Sequence, residues 1–210
     1  MKRIRPDQSD FALMLQEAAG VVRSGGILIY PTDTVYGMGC DPFSESALRR
    51  LAAVKQRSDN RYVVLERDPA AATRWITDVP DGFVFFAQRL WPGPVTMVFS
   101  KDPATGPLPG NDSIAIRVPE FELLQTLLSA LTMPLVSTSV NRSGLDPLRD
   151  PEQIWREFHQ DVELFLDYGK FPERPPSSIV DMRSNPPQLL RRGSSAPAVE
   201  AAIREWINIQ

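Results

Sequence analysis

The chain has 210 residues, 42% of them apolar, with 26 acidic against 23 basic residues and a net charge of −3. That is enough apolar matter for one large domain or two small ones, so disorder is not the default. There is no global basic field for nucleic acid, and no apolar run approaches the roughly 20 residues a membrane span needs. One cysteine, Cys40, and one histidine, His159, exclude an internal disulfide and leave only carboxylates to hold a metal, which fits a reducing cytoplasm.

The N-terminal Met-Lys-Arg-Ile-Arg-Pro has no apolar segment directly behind its basic residues, so no secretory signal is expected. Ser9 or Asp10 can cap a first helix whose apolar face is Phe11, Leu15, Ala18, Ala19 and Val22. Gly25-Gly26 ends it and leads into a buried strand, Ile27 to Tyr30, which Pro31 stops. Thr32, Asp33 and Thr34 follow, then Gly37 and Gly39, the make-up of a ligand loop at a strand end. Ser44 caps a second helix with Ala47, Leu48, Leu51 and Val54 inward and Lys55 and Arg57 at its C-terminal end.

Tyr62 to Leu65 reads as a strand, and Asp68-Pro69 opens a short helix that includes Trp75. A helix over Phe83 to Leu90 is broken by Trp91-Pro92-Gly93-Pro94, and Val95 to Phe99 is a strand. Lys101 to Asn111 is a Pro- and Gly-rich loop, Ser113 to Val118 an alternating strand, and Pro119 starts an amphipathic helix through Leu128. Leu135-Val136, a short buried strand, runs into Ser137 through Gly144, a second hydroxyl-rich loop that can face the first across one crevice. A helix over Pro151 to Phe158, strands over Val162 to Leu166, Ile179-Val180 and Gln188 to Arg191, and a helix over Ala198 to Ile207 complete the chain. With no repeat and no composition break, one layered domain of helices on a mixed sheet is the simplest account.

His159, in a polar segment, reads as a surface residue, and Cys40 as a structural thiol. A Ser-His-acid triad, a Walker-type loop and a dinucleotide fingerprint are all missing. What remains is a set of hydroxyls and cations: Thr32, Thr34, Ser113, Thr138, Ser139, Asn141, Ser177 and Ser178, with Lys55, Arg57, Arg117, Arg142, Arg191 and Arg192. Such a set suits phosphate and carboxylate binding and the stabilisation of a transferring phosphoryl group. Solvated turns and surface arginines explain the same residue types equally well.

These residues carry a family likeness. The chain resembles the YrdC-like family, the threonylcarbamoyl-AMP synthases with their YciO- and YwlC-type relatives. The family's Pro-Thr-acid-Thr-x-Tyr-Gly stands here as Pro31 to Gly37, its Lys-x-Arg as Lys55 to Arg57, and its Trp-Pro-Gly-Pro-x-Thr as Trp91 to Thr96. Ala115 to Pro119, Ser139 to Asn141, Ser177 to Ile179 and Leu190 to Gly193 match its later motifs in order, so that the likeness runs over nearly the whole chain. It departs after Arg57, where Ser58 stands in place of the usual Pro and the segment to Tyr62 is one residue short, and at Glu120-Phe121.

The resemblance implies an α+β fold, a single three-layer domain over residues 1–210 with a twisted mixed sheet and a concave, positively charged cavity. It implies synthesis of threonylcarbamoyl-AMP and pyrophosphate from ATP with Mg2+, L-threonine and bicarbonate, with no permanently bound cofactor, no resident metal and no protein nucleophile. Lys55 and Arg57 then act by position and charge. Threonine falls to Thr32, Arg117, Thr138 and Ser178, and ATP to Lys55, Arg57, Asn60, Ser113, Ser139, Asn141 and Arg191. The implied partners are tRNA or double-stranded RNA and a threonylcarbamoyl-transferase complex, in the cytoplasm and with no membrane. The alternative is a non-catalytic RNA- or nucleotide-binding paralogue of the YciO type.

Overall fold

A computed structural model describes residues 1–5, 11–56, 62–108 and 112–210. Among these residues ten strands form one twisted mixed sheet in the order β1-β8-β2-β3-β7-β4-β6-β5-β9-β10. The strands are β1 (Lys2–Ile4), β2 (Leu28–Tyr30), β3 (Gly37–Gly39), β4 (Val63–Leu65), β5 (Val95–Ser100), β6 (Ser113–Arg117), β7 (Leu135–Ser139), β8 (Leu164–Leu166), β9 (Ser178–Asp181) and β10 (Gln188–Arg191). The helices are α1 (Phe11–Arg23), α2 (Glu45–Lys55), α3 (Pro69–Ala72), α4 (Phe83–Leu90), α5 (Glu122–Leu131), α6 (Pro151–Phe158) and α7 (Ala196–Ile209), with one 3-10 turn at Thr73–Trp75.

Two cores lie on the two faces of this sheet, which makes three layers. On one face, Leu28, Tyr30, Leu65, Leu135, Leu164 and Leu166 pack against the apolar stripes of α1 and α5. On the other, Ile29, Met38, Val64, Val136, Met97, Phe99, Ile116 and Val180 pack against α2, α4, α6 and α7 and against Trp75. Local signals set most element ends. The Ser44 hydroxyl accepts from Ala47 N–H to cap α2, Asp68 caps α3 through Ala71 N–H, and Asp150 caps α6 through Glu152 N–H.

Several elements depart from the sequence expectation. Gly37 and Gly39 are not loop residues: they form β3, antiparallel to β2 in the register Tyr30↔Gly37 and Leu28↔Gly39. The ligand loop is therefore shorter, Pro31 to Tyr36. The Tyr30 ring lies over these glycines, and a Cβ on Gly37 would meet its Cε2 at 2.7 Å. The second hydroxyl row is strand as well, since β7 runs on through Ser137, Thr138 and Ser139. Pro119 precedes α5, which begins at Glu122, and Trp75 ends the 3-10 turn. Lys2–Ile4 pairs in parallel with β8 although its sequence shows no strand pattern. His159 is half-buried, stacked on Trp155 with its Nδ1 3.0 Å from the Trp155 carbonyl. The expected cap of α1 at Ser9 or Asp10 falls outside the described residues.

Candidate functional site

Strand register decides what faces what, because side chains alternate between the two faces. Tyr30, Gly37 and Ser139 share one face, and with them Ser137, Val63, Ala115 and Val98. Where α1 and α5 cover this face it is sealed. Farther along the sheet, Val63, Ala115, Ser113, Val98 and Ile179 are only half-buried, while Val64, Ile114, Met97 and Val180 behind them are buried. The result is an open floor of small apolar and hydroxyl side chains beside the α5 layer.

Three groups rim that floor. The first stands at the end of β7. Lys55, only 2% exposed, reaches from the last turn of α2 and donates to the Ser139 carbonyl at 2.6 Å and to Asn141 Oδ1 at 2.7 Å. The Ser139 hydroxyl donates to the same Oδ1 at 2.6 Å, and Asn141 Nδ2 donates to the carbonyls of Arg142 and Leu145. Every polar atom of the buried Asn141 amide is thus used, and the network holds the cation at the strand end.

The second group is the Pro31 to Tyr36 loop. β3 and β7 are antiparallel, so this loop and the one after β7 emerge side by side, joined by Val140 N–H to the Tyr36 carbonyl at 3.2 Å. The Thr32 hydroxyl folds the loop on itself: it donates to the Val35 carbonyl at 2.6 Å and accepts from the N–H groups of Thr34 and Val35. The Tyr36 hydroxyl anchors the far end, accepting from Tyr168 N–H and donating to the Gly169 carbonyl. Arg117, 6% exposed, lies between the loop and the floor. Its Nε donates to the Gly93 carbonyl at 3.0 Å, its Nη1 lies 3.5 Å from the Thr34 hydroxyl, and its Nη2 pairs with Asp33 Oδ1.

The third group comes from the β9–β10 side. Arg191 clasps the Ser177 carbonyl through Nε at 3.0 Å and Nη2 at 2.8 Å, and the Ser177 hydroxyl lies 3.1 Å from that of Thr96. Arg191 keeps an exposed edge, yet partial desolvation of its guanidinium and the nearby Arg117 charge both lower its pKa, as expected of two cations around one space.

The structure therefore gathers Lys55, Ser139, Asn141, Arg117 and Arg191, with Thr32 in the adjoining loop and Ser113 on the same floor. It does not gather all the expected residues. Thr138 alternates to the opposite face, opposite Met38. Ser178 is fully buried, its hydroxyl accepting from Gly193 N–H; the hydroxyl beside Arg191 is that of its neighbour Ser177. Arg142 bonds Glu157, Asp161 and the Val54 carbonyl over the Phe158 ring, and Arg192 pairs with Glu200. Asp33, the partner of Arg117, belongs to the first loop but was not among the expected site residues. Arg57 and Asn60 fall outside the described residues. Cys40 is buried as expected, and burial pushes its thiol up to about 12.

Among the described residues no group of three or more His, Cys, Asp or Glu side chains stands close enough to hold a metal ion, and no helix is long and apolar enough to cross a membrane.

A family model named Sua5/YciO/YrdC, described as telomere recombination, matches residues 20–193. The threonylcarbamoyl-AMP synthase of Stutzerimonas stutzeri (strain A1501) is 36% identical over 176 residues, which is 81% of this chain and 93% of that protein. Among solved structures, P. abyssi Sua5 complexed with L-threonine superposes with a TM-score of 0.81 at 27% identity over 91% of this chain; this chain spans only 56% of that one. E. coli YciO superposes with a TM-score of 0.78 at 27% identity, covering 91% of this chain and 94% of its own.

Proposed function

The chain belongs to the Sua5/YciO/YrdC family, and from that premise we propose that it is an L-threonylcarbamoyladenylate synthase, built as one YrdC-like domain over residues 1–210. The observation that carries the proposal is that one open, hydroxyl-lined floor is bordered by Lys55 at the end of β7 and by Arg117 and Arg191, which sense each other's charge, farther along the sheet. Such a floor accepts a flat apolar ring and a sugar, and the cations accept phosphate and carboxylate oxygens.

In this reading the threonine amine adds to carbon dioxide from bicarbonate and loses a proton, which leaves a carbamate. A carbamate oxygen attacks the α-phosphorus of ATP, and the bond to the β-phosphate breaks to release pyrophosphate. Negative charge grows on the pyrophosphate oxygens. In this reading Lys55, held by Ser139 and Asn141, and Arg191 neutralise it with Ser113 of the floor, Arg57 and Asn60 outside the described residues are assigned the same task, and Thr32 and Arg117 hold the amino acid. Magnesium enters with the nucleotide as part of the substrate. Alignment and charge neutralisation do the work, and no side chain forms a bond to substrate. Thr138 and Ser178, turned away from the floor, support the site from behind. The product then passes to a threonylcarbamoyl-transferase complex that modifies tRNA in the cytoplasm.

The test is pyrophosphate release from magnesium-ATP with threonine and bicarbonate supplied together and singly. Release only with both supports the synthase, and Arg57→Ala should abolish it. ATP binding without release under any condition would overturn the synthase reading. It would leave the second reading, a non-catalytic nucleotide- or RNA-binding paralogue.

A further inference from the structure

The Pro31 to Tyr36 loop contains one acid, Asp33, whose two carboxylate oxygens have different fates. Oδ1 takes the Arg117 guanidinium. Oδ2 is shielded from solvent and meets no donor among the described residues. A shielded carboxylate oxygen without a donor is costly, and few of them persist in folded proteins without a role. Arg117 is similarly half-used: three of its five N–H groups are engaged among the described residues, which leaves two donors beside the acid.

An α-amino acid is the chemical complement of this arrangement. It carries a carboxylate and an amine on adjacent carbons, and Arg117 and Asp33 present a cation and an anion in contact. We infer that Asp33 is a specificity-determining residue: its Oδ2 accepts a hydrogen bond from the α-nitrogen of the amino-acid substrate, while its Oδ1 orients Arg117 toward the substrate carboxylate. This deepens the synthase reading and rests on it. The nitrogen keeps an N–H after carbamate formation, so the same bond holds the nucleophile in place while its oxygen meets the α-phosphorus. A ligand without the amine leaves Oδ2 unpaired in the complex, so the site discriminates against it.

The test compares equilibrium binding of L-threonine and (R)-3-hydroxybutanoate, the same molecule without its amine, in the presence of ATP. The protein should prefer threonine by about tenfold to a hundredfold, the range expected for one hydrogen bond to a charged group. In Asp33→Asn, whose thermal unfolding is checked in parallel, the preference should fall to within about threefold. In Arg117→Gln both ligands should weaken while their ratio survives. If Asp33→Asn weakens both ligands by the same factor, Asp33 acts only through Arg117 and the inference is overturned. A native ratio within about threefold overturns it without any variant, should Asp33→Asn not fold. Binding of neither ligand by the native protein would overturn the amino-acid reading itself, and pyrophosphate release tells that failure from the narrower one.

Discussion

Gly39 offers the sharpest test of how the site is assembled. It is the last residue of β3, and a Cβ built on it lands on the carbonyl oxygen of Val136 in β7 and 3.0 Å from the Tyr30 hydroxyl. The obstacle is backbone, which cannot rotate away as a flexible side chain would. Gly39→Ala must part β3 and β7 locally by roughly 1 Å to restore ordinary contact. The neighbouring bond from Val136 N–H to the Cys40 carbonyl, now 3.0 Å, would then leave hydrogen-bonding range. One lost backbone bond costs about 1 kcal/mol, and overpacking a tight site costs about 1–3 kcal/mol. The expected loss is about 2–4 kcal/mol, which for a chain of this length lowers Tm by roughly 4–16 °C. Gly20→Ala is the control: Gly20 is exposed within α1 and has nothing within 4 Å of its would-be Cβ. It should gain about 0.5–1 kcal/mol from helix propensity alone. Scanning calorimetry of both variants reads the contrast. Gly39→Ala within about 0.5 kcal/mol of the native protein would refute the close packing of β3 on β7.

Two further substitutions probe the polar groups. Asn141→Ala removes the acceptor shared by Lys55 and Ser139 and two donors to carbonyls, so it should cost roughly 2–3 kcal/mol in thermal unfolding as well as pyrophosphate release; an unchanged Tm would show that the network is not structural. Asp167 is buried, which alone would raise its pKa, but hydrogen bonds from Gly169 N–H, Arg5 and Arg3 hold it below the usual carboxylate range. A depressed carboxylate contributes stability that is present above its unfolded value and is lost as pH falls through its folded value. Asp167→Asn should therefore be less stable at pH 7 by roughly 1.5–3 kcal/mol, and its acid-denaturation curve should converge on that of the native protein once pH has fallen below the folded value of Asp167. Parallel curves at all pH values would refute the assignment.

Much of this was legible along the chain. The helices over Phe83–Leu90 and Pro151–Phe158 end where apolar spacing, caps and prolines place them, because those signals are local and act within a turn or two. The ordered motifs likewise announced the family before any contact was known. The β3 hairpin was not legible, since two glycines around a methionine carry no strand pattern. Their conformation is imposed by the Tyr30 ring on one side and the Val136 carbonyl on the other. Residue types could name the cations but not their partners. Arg117 meets Asp33 across 84 positions of sequence, and Arg142 is drawn to Glu157 and Asp161. The facing of Ser137 and Ser139 toward the floor, and of Thr138 away from it, depends on a register shared with β3 and β4. By itself the sequence determined the family, most elements and the stock of charged and hydroxyl groups. Only the tertiary structure decided which of those groups share a face and which neutralise one another, because pairing and register are set by contacts between segments far apart in the chain.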